Sequence, residues 1–155
     1  MVSLSRKYIA YTLCTVLGAG YFPFVPGTFS SILAVLSLYL LQPAFYVLLP
    51  GLVMAFLCGI IFTRDIEIND GKDPKHIVID ELAGQWLTFL LIPHLSFWVI
   101  ICGFVLFRFF DILKPFGINS IQSMKDGWGV MLDDILAGLY SNILLQILIV
   151  MGIII

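Results

Sequence analysis

The sequence predicts an all-α, multi-pass integral membrane helical bundle with about four to five spans, forming one domain over residues 1–155. Three observations carry this reading. The chain is 61% hydrophobic and only 12% charged, whereas a soluble domain is roughly half apolar and a quarter charged. Its charges fall in clusters, Arg6–Lys7, Arg64–Glu81 and Arg108–Asp134, separated by charge-free runs. The last run, Ile135–Ile155, carries no charge and is long enough for one crossing of about 20 residues.

The elements follow in order. Arg6-Lys7 before Tyr8–Gly20 has the outline of a signal peptide. The rest of the chain is equally apolar, so Tyr8–Phe24 reads instead as an interfacial or re-entrant helix of the bundle. The charge-free run to Thr63 is too long for one helix. It folds into a hairpin of Ser31–Gln42 and Val47–Thr63, with Gln42-Pro43 and Pro50-Gly51 as breakers near the turn. Leu82–Phe107 holds two passes broken at Pro93–Ser96, and the first begins near His76, which puts Asp80 and Glu81 in its first turns. Arg108 and Asp111 close the next helix, and Asp133 and Asp134 open the last. All eight Lys and Arg then lie on one side, which the positive-inside rule makes cytoplasmic. Lys72 and Lys125 are expected there, and Ser96 and Ile155 outside.

A formal net charge of −2 leaves no basic stripe and argues against a nucleic-acid partner. Cys14, Cys58 and Cys102 sit in apolar stretches without Cys/His ligand spacing and read as reduced thiols. Cys58 and Arg64 have the Cys-x5-Arg spacing of thiol phosphatases. The Ile-Ile-Phe between them supplies neither a phosphate cradle nor a lowered thiol pKa. His76 and His94 fall on opposite sides and form no pair. No sequence feature sets an oligomeric state.

The chemistry lies in the acids. Asp80, Glu81, Asp111, Asp133 and Asp134 place carboxylates at helix ends beside one membrane face, where ionisable groups are costly unless paired or bound to an ion. Hard cations such as Mg²⁺ take such oxygen ligands. Arg108 and Lys114 flank Asp111, and Arg108 is three residues from it, so the two can meet on one helix face. Both cations suit a phosphate monoester. Pro26-Gly27-Thr28 offers a third element: Thr28 as an N-cap, with free backbone N–H groups able to hold an anion. Asp65 and Asp126 read as solvated loop charges. A weak echo links Asp80…Gly84 and Asp134…Gly138, each an Asp followed four residues on by Gly. Two such helices could cross closely beside their carboxylates.

These residues resemble the phosphatidylglycerophosphatase A family. The matching blocks are Val25-Pro26-Gly27-Thr28-Phe29, Ile77-Val78-Ile79-Asp80-Glu81 running into Gly84-Gln85-Trp86, Phe107-Arg108-Phe109-Phe110-Asp111-Ile112-Leu113-Lys114-Pro115, and Gly129-Val130-Met131-Leu132-Asp133-Asp134 with Ala137-Gly138. They stand in the family's order. Ser30 occupies a position where the family usually has Gly, and Gly117 one where Pro commonly follows Lys-Pro. The resemblance implies a bacterial inner-membrane enzyme that hydrolyses phosphatidylglycerophosphate to phosphatidylglycerol and phosphate with Mg²⁺, its active site on the cytoplasmic side. The expected metal ligands are Asp80, Glu81, Asp111, Asp133 and Asp134. Asp80, Glu81, Asp134 and Arg108 carry catalysis, and Arg108, Lys114, Gly27 and Thr28 bind substrate.

Two other readings stay open. A CDP-alcohol-type phosphotransferase should continue Asp-Gly into Ala-Arg, which neither Asp70-Gly71 nor Asp126-Gly127 does. A small cation- or proton-coupled carrier should place its charges near mid-membrane, whereas these cluster at one face.

Overall fold

The computed structural model describes residues 4–115, 117–124 and 126–154; Lys125 and Ile155, for which a side of the membrane was expected, lie outside them. The described residues form helices and no strand: α1 (Leu4–Cys14), α2 (Pro26–Leu41), α3 (Phe45–Asp70), α4 (Ile79–Thr88), α5 (Phe97–Leu113), α6 (Ile118–Ile121) and α7 (Trp128–Val150), with a 3-10 turn at Ala19–Tyr21.

Proline and glycine set several of these boundaries. Pro26 starts α2, where its fixed φ suits the first helical position. Gln42 ends α2 in the left-handed region, at φ 43°, and Pro43 follows. Pro50 was expected to help break the chain, but it lies inside α3, so the turn is confined to residues 42–44. Nor does α3 stop at Thr63. It runs through the charged segment to Asp70 because those charges find partners. Arg6 Nε donates to Asp65 Oδ2 at 2.7 Å, and the Tyr11 hydroxyl donates to Asp70 Oδ2 at 2.6 Å. Asp65 is therefore a buried helical residue and not a solvated loop charge.

Among the described residues, α3 (26 residues) and α7 (23 residues) are the helices long and apolar enough to cross a membrane. At 1.5 Å per residue, α2 and α5 reach only about 25 Å, and the ten-residue α4 about 15 Å. By length, two full spans stand among the described residues where four to five were expected. The outward faces are nonetheless apolar: Leu40, Tyr46, Met54, Trp98, Val105 and Ile147 are all exposed. A soluble monomer rarely shows so much apolar surface.

The short α4 is central, packing on α1, α2, α3, α5 and α7. Its crossing with α7 is close. A Cβ on Gly84 would lie 2.5 Å from the Asp134 carbonyl oxygen, and one on Gly138 would lie 2.3 Å from the Gly84 carbonyl oxygen. The two Asp-x3-Gly segments therefore do cross, backbone against backbone. Where α4 stops, α7 satisfies the loose carbonyls: Asn142 Nδ2 donates to Thr88 O at 3.0 Å and to Leu90 O at 2.8 Å. Gln42 Nε2 reaches the Leu95 carbonyl at 3.1 Å. Backbone groups that end among apolar surroundings need such internal partners.

Candidate active site

Asp80 and Glu81 sit in the first turn of α4, where negative charge complements the positive end of the helix dipole. The last helix begins earlier than expected. Gly127, at φ 78°, opens it, and its N–H donates to Glu67 Oε2 at 3.2 Å. Asp133 and Asp134 therefore occupy its second turn and are buried. The α4–α7 crossing then brings Asp134 against the start of α4.

Asp80, Glu81 and Asp134 each offer a carboxylate oxygen within 4.8 Å of the others. Asp80 Oδ1, Glu81 Oε2 and Asp134 Oδ2 are buried, and none has a hydrogen-bond donor among the described residues. Three anionic oxygens without donors, away from water, are strongly unfavourable alone. They are also the donor set a hard divalent cation takes, so the residues fit such an ion.

The other two acids are engaged by cations. Asp133 is bound by Lys114 Nζ, and its Oδ1 also accepts the Asp134 N–H at 3.0 Å. Burial alone would lower the Lys114 pKa, but the Asp133 hydrogen bond and the surrounding acids outweigh it and hold the ammonium above its ordinary value. Arg108 Nη1 lies 2.7 Å from Asp111 Oδ2. Both cations are mostly buried. They are paired with Asp111 and Asp133.

At α2 the picture differs from expectation. Val25 is the N-cap, and Thr28 lies within the first turn, so Thr28 does not cap the helix. Gly27 matters for its missing side chain: a Cβ there would lie 2.0 Å from Glu81 Oε1. Only glycine lets the Glu81 carboxylate reach the start of α2. The N–H groups of Gly27 and Thr28 precede Phe29, whose N–H is bonded to the Val25 carbonyl, and so belong to the helix end without intrahelical acceptors.

Several candidates lie apart. Lys72 and Lys75 are exposed in the loop after α3. His76 stacks between Tyr11 and Tyr21, with ring centroids 5.7 and 5.5 Å away, and its Nε2 is 3.2 Å from Asp70. That arrangement is a clamp between α1 and the α3–α4 loop. Cys58 is half-buried inside α3, while Arg64 pairs with Asp126 at 3.4 Å, so no thiol-phosphatase loop forms. Sequence reasoning named Ser31 only at a helix start and gave Gln85 no role. Both are fully buried. The available signal was a glutamine in an apolar run, one helical turn beyond Glu81.

Fold and site together define a helical membrane protein with a buried carboxylate centre suited to a divalent cation. The model of one family, phosphatidylglycerophosphatase A, matches residues 12–149. The chain belongs to that family. Relatives include two proteins named phosphatidylglycerophosphatase A. That of Haemophilus influenzae is 38% identical over 132 residues, covering 81% of this chain and 80% of its own. That of Escherichia coli is 35% identical over 127 residues, covering 80% and 74%. A Bacteroides thetaiotaomicron protein with the provisional name phosphatidylinositol-3-phosphatase is 40% identical over 150 residues, covering 91% and 94%. No solved structure gives a significant match.

Proposed function

We propose that the acid trio is the place where this chain hydrolyses the terminal phosphomonoester of phosphatidylglycerophosphate, with Mg²⁺ held by Asp80, Glu81 and Asp134. The observation that carries this is the set of three buried carboxylate oxygens without donors. When bound, the ion supplies charge to the phosphoryl oxygens and acidifies a coordinated water.

The chain's own groups do the rest. Arg108 and Lys114 donate to the phosphoryl oxygens, where negative charge develops in the transition state. The free N–H groups at the start of α2 add donors that carry no charge. A carboxylate of the trio takes the proton of the attacking water. The water oxygen bonds to phosphorus, the ester P–O bond breaks, and the leaving glycerol oxygen takes up the proton that the carboxylate accepted.

In this reading the protein lies in the bacterial inner membrane with its acid site on the cytoplasmic side. Helices α2, α3, α5 and α7 cross the bilayer, and α4 is a half-helix that ends inside it. The shorter α2 and α5 are accommodated by local thinning. Cysteine labelling from outside intact cells tests the topology. Labelling at Ser96→Cys with protection at Lys72→Cys is expected, and the reverse pattern overturns it.

Phosphate release by the purified protein tests the function. Phosphatidylglycerophosphate should be hydrolysed with Mg²⁺ and not with a chelator. Phosphatidylinositol 3-phosphate is the second arm because one relative carries that name. Hydrolysis of the inositol lipid alone overturns the substrate, and chelator-insensitive hydrolysis overturns the metal.

A further inference from the structure

At the charged end of α3 the surface of the bundle holds an open cleft of about 570 Å³. Leu4, Lys7, Tyr8 and Tyr11 of α1 line it, together with Tyr21 and with Asp70, the last residue of α3. Its volume is that of a small-molecule site. None of its residues belongs to the acid trio.

The cleft lies at headgroup depth. At 1.5 Å per residue α3 reaches about 39 Å, more than a hydrocarbon core of about 30 Å. Its first turns are apolar and its last turns are charged, so the excess falls at the Asp70 end. Leu4, Tyr8 and Tyr21 are exposed there. Tyrosine belongs in that layer, where its ring meets apolar matter and its hydroxyl stays wet.

The charges decide what enters. The cleft carries one cation and one anion, and they do not meet. Lys7 pairs with no carboxylate among the described residues; its Nζ lies 5.5 Å from the centroid of the Tyr11 ring. Its neighbour Arg6, by contrast, is paired with Asp65. Asp70 is held in place on one side only. The Tyr11 hydroxyl donates to its Oδ2 at 2.6 Å, and His76 Nε2 lies 3.2 Å from the same oxygen. Its Oδ1 has no donor among the described residues. His76 in turn sits between the rings of Tyr11 and Tyr21, which fixes two of the aromatic walls.

Opposite charges that share a cleft without joining suit a ligand that carries both signs. Lys7 and the tyrosine hydroxyls donate to an anionic oxygen. A carboxylate with an open oxygen, among aromatic rings, attracts an ammonium. Leu4 and the exposed ring of Tyr8 give the apolar flank that a lipid requires.

We propose that this cleft holds the zwitterionic headgroup of a phospholipid, its phosphate on Lys7 and its ammonium on Asp70 among the tyrosine rings. The site is separate from the acid trio and does not rest on the function proposed above. Its expected selectivity is opposite to that of scattered surface cations, which draw anionic lipids.

The test uses the full chain purified in a neutral detergent, with lipid retention read by native mass spectrometry. Phosphatidylethanolamine is compared with phosphatidylethanol of the same acyl chains, which lacks only the amino group. Wild type is expected to hold the amino lipid about fivefold tighter or more. Asp70→Asn should abolish that preference, and Lys7→Gln should weaken both lipids alike, by about fivefold. Because Asp70 also bonds Tyr11, Tyr8→Leu is the second variant. Tyr8 is exposed and makes no hydrogen bond to a described residue, so this variant should melt with wild type and still lose part of the preference. Equal binding of the two lipids by wild type, or tighter binding of phosphatidylethanol, overturns the proposal. So does a preference that survives both Asp70→Asn and Tyr8→Leu, or a Lys7→Gln variant that binds both lipids as wild type does. Displacement of the lipid by free phosphoethanolamine at equal concentration makes the ligand a soluble headgroup, and the lipid assignment falls. None of these readouts involves phosphate release, so this proposal and the phosphatase reading fail separately.

Discussion

The acids of α3 and those of α4 and α7 are the same chemical groups in two different conditions. On α3, Asp65 accepts from Arg6, Glu67 accepts the N–H groups of Asp73 and Gly127, and Asp70 accepts from Tyr11 and faces His76. Each carboxylate joins one segment to another. On α4 and α7, Asp80, Glu81 and Asp134 each keep a buried oxygen without a donor among the described residues. A carboxylate whose partners are supplied by the chain stabilises the fold. One whose partners are missing destabilises it until a ligand arrives. The arrangement of donors, and not the number of acids, separates architecture from chemistry here.

Substitutions can break that contrast. The largest effect is expected at the open acids. Asp80→Asn and Asp134→Asn keep shape and lose charge, and each should cut phosphate release about 10²-fold or more. Partial recovery at high Mg²⁺ indicates lost ligation, and a near-normal rate at low Mg²⁺ removes these residues from the mechanism. An intermediate effect is expected at the crossing that assembles them. Gly84→Ala and Gly138→Ala each drive a methyl onto a backbone carbonyl oxygen of the facing helix. Overpacking of this kind costs about 1–3 kcal/mol, seen as a lower melting temperature. Activity should fall as well, because the carbonyl that Gly84 approaches belongs to Asp134. The smallest effect is expected on α3. Asp65→Asn weakens its pair with Arg6, whose side chain is 52% exposed, and a pair so open to water contributes about 1 kcal/mol or less. Phosphate release should be unchanged. A large loss there would abolish the distinction between the two sets.

The sequence made the acid site legible in outline because the carboxylates come in short blocks at the edges of apolar runs. Gly84 and Gly138 were legible for the same reason, each four residues after an Asp. The boundaries were harder to read. Helix α3 continues to Asp70 because Arg6 and Tyr11, about 60 residues away, neutralise or bond its acids, and no local pattern reports that. Helix α7 begins at Trp128 because Gly127 is tied to Glu67, another distant contact. Thr28 had the chemistry of a cap, but Pro26 starts the helix before it and leaves it inside the first turn. Ser31 and Gln85 were given no chemical role of their own because their oddity is a lack of partners among the described residues, and that becomes visible only in three dimensions.

The crossing of α4 and α7 also bears on how the molecule is made. Gly84 and Gly138 stand 54 residues apart, so α7 leaves the ribosome well after α4. At about 5–20 residues per second, α4 waits some seconds for its counterpart. During that interval Asp80 and Glu81 have no third carboxylate beside them, and the close backbone contact that seats Asp134 does not yet exist. A nascent chain that has not yet delivered α7 therefore holds an incomplete set of acids, and the trio comes together only once that helix packs on α4.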